Sequence, residues 1–218
     1  TIMNEGDVTA ILVSEAENIT IISNKIITDS IGNNNAMSAV FANLANNLKI
    51  MDNIFEYVGR DNDTLFNSNI VIGIVESDGV LIEKNKIQFD VESNATASNK
   101  VILASQSNDI VISHNVIGAT IPSQSIDWYT GNVYSEGIAL DDCNAVTFTL
   151  NIIGVKSSGY TGEYDTIYGV HATGNNVSVV GNVIGVLDAP YGYGVVISGE
   201  EFALGYNLIY SGVDMIEI

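Results

Sequence analysis

Positive charge is scarce in this chain of 218 residues. Seven Lys and Arg stand against 26 Asp and Glu, a formal net charge of −19. A protein that binds nucleic acid needs basic groups to displace phosphate counterions, so that role is excluded from the expectation. A bare polyanionic substrate is repelled as well, unless a bound cation intervenes. Cysteine is almost missing: Cys143 has no partner for an intrachain disulfide, so stability must come from packing and hydrogen bonds. Two prolines are too few for a Pro-rich linker. Long apolar runs are lacking too. Although 46% of residues are hydrophobic and the mean hydropathy is +0.25, no stretch approaches the roughly 18 apolar residues that span a bilayer. No charged segment followed by an apolar one and a cleavage site opens the chain, which leaves the compartment open. The length fits one large all-β domain, and residues 1–218 are read as such.

What the chain does have is a repeat. The same phrase occurs seven times, as NITIISNKI, NLKIMDNIF, GVLIEKNKI, DIVISHNVI, AVTFTLNII, NVSVVGNVI and EFALGYNLI. Each contains an asparagine: Asn24, Asn53, Asn85, Asn115, Asn151, Asn182 and Asn207. Successive gaps are 29, 32, 30, 36, 31 and 25 residues, an elastic period of about 30. Large apolar residues stand five and three positions before the asparagine and two after it, for example Ile110, Ile112 and Ile117 around Asn115. Between them are mostly polar or small residues such as Thr20, Lys49, Thr147 and Ser178. This is the alternation of a strand with one buried face, not helix spacing.

Eight residues before the asparagine the side chain is always small: Ala16, Ala45, Ser77, Ser107, Cys143, Gly174 and Gly199. A tight turn is expected there. A second strand lies upstream, as in KVILA, GIALD, YGVHA and GVVIS. Strands repeating at this period without crossover helices close by winding coil on coil, which predicts an all-β, single-stranded parallel β-helix of about seven coils. At about 4.8 Å per rung the rod would be roughly 30–35 Å long. The asparagines are expected at a turn that tolerates left-handed backbone, their amides bonding backbone and one another in a ladder.

The N-x-I-x-I-x-x-N-x-I-G phrase resembles the right-handed parallel β-helix repeat of pectate-lyase-like and NosD-like proteins, and of Asn-rich adhesin-like surface proteins of archaea and bacteria. The resemblance covers nearly the whole chain and implies a right-handed β-helix. Lyases, epimerases, tailspikes, adhesins and structural proteins share that architecture, so the activity has to be read from a site.

Excursions of uneven length separate the repeats, at 28–38, 56–68, 88–99, 119–136, 155–166 and 186–193. The later ones gather Asp127, Trp128, Tyr129, Tyr134 and Glu136, then Tyr160, Glu163, Tyr164, Asp165 and Tyr168, then Tyr191 and Tyr193. Aromatic faces with carboxylate acceptors suit a sugar ring or a protein partner; packing of loops onto the rod is the alternative. Asp141-Asp142 is the best paired carboxylate, but adjacent strand residues point to opposite faces, and general acid and base need converging carboxyls. The Gly-His-Gly and Arg-x-Lys segments of polygalacturonase-like enzymes are absent. Pectate-lyase-like elimination needs an Arg or Lys base with calcium, and the chain offers Arg60 and six lysines.

Asp61 and Asp63 are the calcium candidates, without an EF-hand glycine or distal glutamate. His114 and His171 fall in different repeats with no second ligand at metal spacing, and Cys143 reads as a packed thiol. Copper handling is not carried over from NosD-like proteins. Asn18, Asn62, Asn94 and Asn176 begin Asn-x-Ser/Thr sequons and are candidate glycosylation sites. The expected function is therefore that of an extracellular, cell-surface structural or adhesive protein, self-associating through end coils and loops or binding other surface proteins, with no resident cofactor beyond calcium. Polysaccharide turnover (lyase, hydrolase or epimerase) and carbohydrate binding are the alternatives. The apolar termini, with no capping helix, are read as a segment of a longer protein or a fibre-forming subunit.

Overall fold

The computed structural model describes residues 1–5, 9–30, 37–59, 68–91, 98–123, 135–160, 166–189, 191–211 and 214–217. Among them are twenty strands and no helix. In chain order these begin with β1 (Ile2–Glu5), β2 (Ile11–Glu17), β3 (Thr20–Ile22), β4 (Lys25–Ser30), β5 (Met37–Asn46), β6 (Lys49–Met51) and β7 (Ile54–Gly59). Next come β8 (Ser68–Val75), β9 (Leu81–Glu83), β10 (Lys86–Val91), β11 (Ser98–Ser105), β12 (Asn108–Ser113) and β13 (Val116–Ser123). The last are β14 (Ser135–Thr149), β15 (Ile152–Tyr160), β16 (Thr166–Val180), β17 (Val183–Leu187), β18 (Tyr191–Gly205), β19 (Leu208–Tyr210) and β20 (Asp214–Glu217).

Every strand pairing is parallel and joins a strand to its equivalent one repeat away, as in Ile87↔Ile117 and Ile117↔Ile153. One sheet runs β1-β4-β7-β10-β13-β15-β17-β19. The other has two rows, β2-β5-β8-β11 and β3-β6-β9-β12, and β14, β16 and β18 each run through both. An all-β chain of parallel sheets in this order is compatible with a solenoid. No described helix is long and apolar enough to cross a membrane.

The alternation seen in the sequence dictates the core. Ile50, Ile82, Ile112, Phe148 and Val179 are stacked neighbours, all fully buried. Ile26, Phe55, Ile87, Ile117, Ile153 and Ile184 form a second inward row. Each such side chain contributes about 1.5–3 kcal/mol through removal from water.

One expectation needs correction. The asparagines are not the left-handed residues: the residue before each one is, with φ of 54–56° at Ser23, Asp52, Lys84, His114, Leu150 and Tyr206 and 71° at Gly181. The chain turns at that residue, which leaves the next side chain pointing inward to bond backbone. His114 is one of these turn residues, its Nδ1 3.7 Å from Glu83 Oε1.

Candidate functional site

Several polar columns run through the described residues, one of them Asn69–Asn99–Ser135; the three that follow flank the repeat's turn. In the first, the backbone N–H and the Nδ2 of each asparagine donate to the Oδ1 of the next. For Asn115 to Asn151 the distances are 2.9 and 3.0 Å, and the same pair of bonds links Asn24 to Asn53, Asn53 to Asn85, Asn85 to Asn115, Asn151 to Asn182 and Asn182 to Asn207. Each Nδ2 from Asn53 onward also donates to a carbonyl of the preceding repeat, such as Ile82 for Asn115 at 2.9 Å. In the second column Ser77 Oγ accepts from Ala45 N–H and Ser107 Oγ from Ser77 N–H, both at 3.0 Å. Cys143 continues it, buried, its thiol pushed up to about 11 by burial. The thiol is a packed group, not a nucleophile. In the third, Asn144 Nδ2 donates to Asn108 Oδ1 at 3.1 Å, and Asn108 Nδ2 to Asp78 Oδ1 at 2.9 Å.

A different kind of cluster lies on the outer face of β11, β14, β16 and β18. Register places Lys100 beside Glu136, Glu136 beside Tyr168 and Tyr168 beside Tyr193. Glu136 is only 1% exposed, yet both its oxygens are engaged. Lys100 Nζ donates to Oε2, and His171 Nδ1 lies 2.6 Å from Oε1. Burial pushes the Glu136 pKa up, but the His171 hydrogen bond and the Lys100 charge outweigh it and hold the carboxyl below its ordinary value. The His171 ring stacks on Tyr168 at 4.9 Å, and Tyr168 on Tyr193 at 5.3 Å.

Asp141, five residues along β14, is half-buried. Burial raises its pKa against the charge of Lys100, and the charge of Glu136 adds to the rise. Its carboxyl takes no hydrogen bond from a described residue. Asp142 has φ of 53° and is exposed, so the two aspartates form no pair.

These two acids give opposite pH dependences. The depressed Glu136 pKa contributes stability above the unfolded glutamate value that is lost as pH falls through the folded one. Glu136→Gln is therefore expected to be less stable at pH 7, towards the low end of the about 3–5 kcal/mol for breaking a buried pair since Lys100 and His171 are partly exposed. Its stability should converge with that of the unaltered protein in acid. For Asp141 the raised pKa means ionisation opposes folding, and Asp141→Asn should gain stability at pH 7. Urea midpoints between pH 2 and 7 check both signs.

The other candidates divide. Tyr168, Tyr191 and Tyr193 are half-buried on β16 and β18, and Tyr160 lies in β15 with its side chain outside the described set. Asp127, Trp128, Tyr129, Tyr134, Tyr164, Asp61, Asp63, Asn62 and Asn94 all fall outside the described residues. Asn18 and Asn176 are exposed with φ of 58° and 55°, and Asn176 lines a shallow groove with Asp109, Thr147 and Ser178. No described group of three or more His, Cys, Asp or Glu is placed to hold a metal ion. The Lys100–Glu136–His171 network was not read from the sequence as a unit. The one available signal was that Lys100 and Glu136 each stand fifteen residues before their repeat's asparagine.

The eight-stranded sheet presents a contrasting flank. Val116, Ile152, Val183 and Leu208 are register partners pointing outward, 46%, 52%, 43% and 68% exposed. Beside them run Gly118, Gly154 and Gly185. Added Cβ atoms at Gly154 and Gly185 would meet nothing nearer than 4.0 and 3.9 Å, so packing does not demand glycine at either. No protein-family model, curated protein or solved structure matches the chain.

Proposed function

We propose that the chain is a single-stranded, right-handed parallel β-helix of about seven coils that acts outside the cell as a structural or adhesive surface protein. The observation that carries this reading is the exposed aliphatic row of Val116, Ile152, Val183 and Leu208 beside glycines, an apolar stripe suited to contact with another surface. The asparagine ladder supports it by making the rod rigid. Net charge opposes contact between copies, so association should strengthen when salt screens it.

The test is sedimentation and electron microscopy of the purified chain beside Ile152→Lys/Val183→Lys. Salt-promoted oligomers or fibres are expected for the unaltered chain, and monomers for the variant, with melting temperatures unchanged. A monomer at every salt and protein concentration would contradict the self-associating form.

The second reading is glycan binding or turnover. Asp141 and Glu136 on one strand, within electrostatic reach of Lys100, favour it.

A further inference from the structure

We propose that the outer face around Asp141, Lys100, Glu136, His171 and the Tyr168–Tyr193 stack binds a neutral, hydroxyl-rich ligand, a sugar unit of a glycan. This rests on the second reading above and assigns it a place. The winding of the chain does not call for charge here: the column that holds Lys100 and Glu136 is filled by Ser38 and Ile70 in the preceding repeats. Apolar replacements of buried ion pairs are commonly neutral or stabilising, so cohesion alone does not explain a Lys–Glu–His network.

The network also orients what faces outward. With its Nδ1–H directed at the Glu136 carboxylate, the imidazole is held in one tautomer against Tyr168. Lys100 is tied to the same carboxylate. Asp141 is half-buried and takes no hydrogen bond from a described residue, which leaves its carboxyl free to accept from a ligand in place of water.

The chemistry narrows the ligand. Lys100 and Glu136 cancel and leave Asp141 as the cluster's one net charge, while the whole chain repels polyanions. An apolar ligand would strip water from Asp141 and return no hydrogen bond. A cation would meet the Lys100 ammonium. A ring carrying hydroxyls can donate to Asp141, accept from Lys100, and rest against the tyrosines.

The chain has two histidines, so their ring C–H signals in NMR report the site and its control separately. The probes are cellohexaose, maltohexaose, mannohexaose and chitohexaose, with hexagalacturonate as the polyanion and calorimetry beside the spectra. At least one neutral probe is expected to shift the His171 signals saturably and leave His114 in place. Asp141→Ala should weaken that binding at least tenfold without lowering the melting temperature. Calorimetric binding with His171 unmoved, or unchanged by Asp141→Ala, would overturn this site while the glycan reading stands. No binding of any probe would overturn both, and a response to hexagalacturonate alone would overturn the neutral-ligand assignment.

Discussion

Gly174→Ala is expected to abolish the native fold. Gly174 has φ of 139°, where L side chains are strained, and an added Cβ would lie 1.8 Å from the Cys143 carbonyl oxygen and 2.9 Å from its nitrogen. The contact is with backbone, so no rotamer change relieves it. Nor can the strands slide, because Cys143 and Asn144 are in register with Gly174 and Asn175. The cost should exceed about 4 kcal/mol, the range reserved for a few named mechanisms of which backbone strain is one. Gly199 repeats the situation, 1.6 Å from the Gly174 oxygen. Gly154→Ala is the matched control, with open space above it and an effect within about 0.5 kcal/mol. Circular dichroism and soluble yield of the two variants decide it, and a cooperative native transition in Gly174→Ala near the original midpoint would refute the stacking of these small residues.

Asn115→Leu should be the next most damaging change. The side chain makes four hydrogen bonds: Oδ1 accepts from Asn85 N–H and Nδ2, and Nδ2 donates to Ile82 O and Asn151 Oδ1. Leucine orphans the buried Asn85 N–H, at about 1–3 kcal/mol, and takes one partner each from Asn85 Nδ2, Ile82 O and Asn151 Oδ1, at about 0.5–1.5 kcal/mol each; with part returned by leucine's own burial, the total is about 3–5 kcal/mol. For a chain of this size that lowers the melting temperature by about 6–20 °C. Asn24→Leu, at the half-buried end of the column where Nδ2 donates to the exposed Ile22 carbonyl and to Asn53 Oδ1, which keeps the Asn24 N–H, should cost less than about 1.5 kcal/mol. Urea midpoints and scanning calorimetry give the order, and equal losses at the two positions would contradict a ladder that draws its strength from burial.

Much of the architecture was legible because its determinants are local and repeated. The asparagine with apolar residues five and three before it and two after specifies strand, inward face and turn within nine residues. The turn itself was displaced by one residue, since Ser23, Asp52, Lys84, His114, Leu150, Gly181 and Tyr206 share no chemistry that would mark a left-handed position. The site was harder for a physical reason. Lys100 and Glu136 are 36 residues apart, and Glu136 and His171 are 35 apart. Only the register brings them together, and it shifts between Leu140 and Cys143, so counting from the asparagine carries Lys100 to Glu136 but misses Tyr168 by one. Asp141 drew notice through Asp142, whereas the charges of Lys100, Glu136 and His171 act on it more strongly. Of the aromatics grouped with the excursions, Tyr168, Tyr191 and Tyr193 belong to strands β16 and β18, where pairing between repeats places them.

Coil-on-coil register is the claim on which both the flank and the ligand site depend, and paired cysteines test it most directly. Thr147 and Ser178 are register partners, as are Ser178 and Ala203, so Thr147 and Ala203 lie two strand spacings apart, about 9–10 Å. Only the adjacent pair falls within the roughly 4.4–6.8 Å Cα separation a disulfide accepts. Mild oxidation followed by mass-resolved thiol counting should close an intramolecular bridge in Thr147→Cys/Ser178→Cys and none in Thr147→Cys/Ala203→Cys, with Cys143 buried and unreactive in both. Bridging of the second pair in place of the first, or equal behaviour of the two, would contradict the winding proposed for this chain.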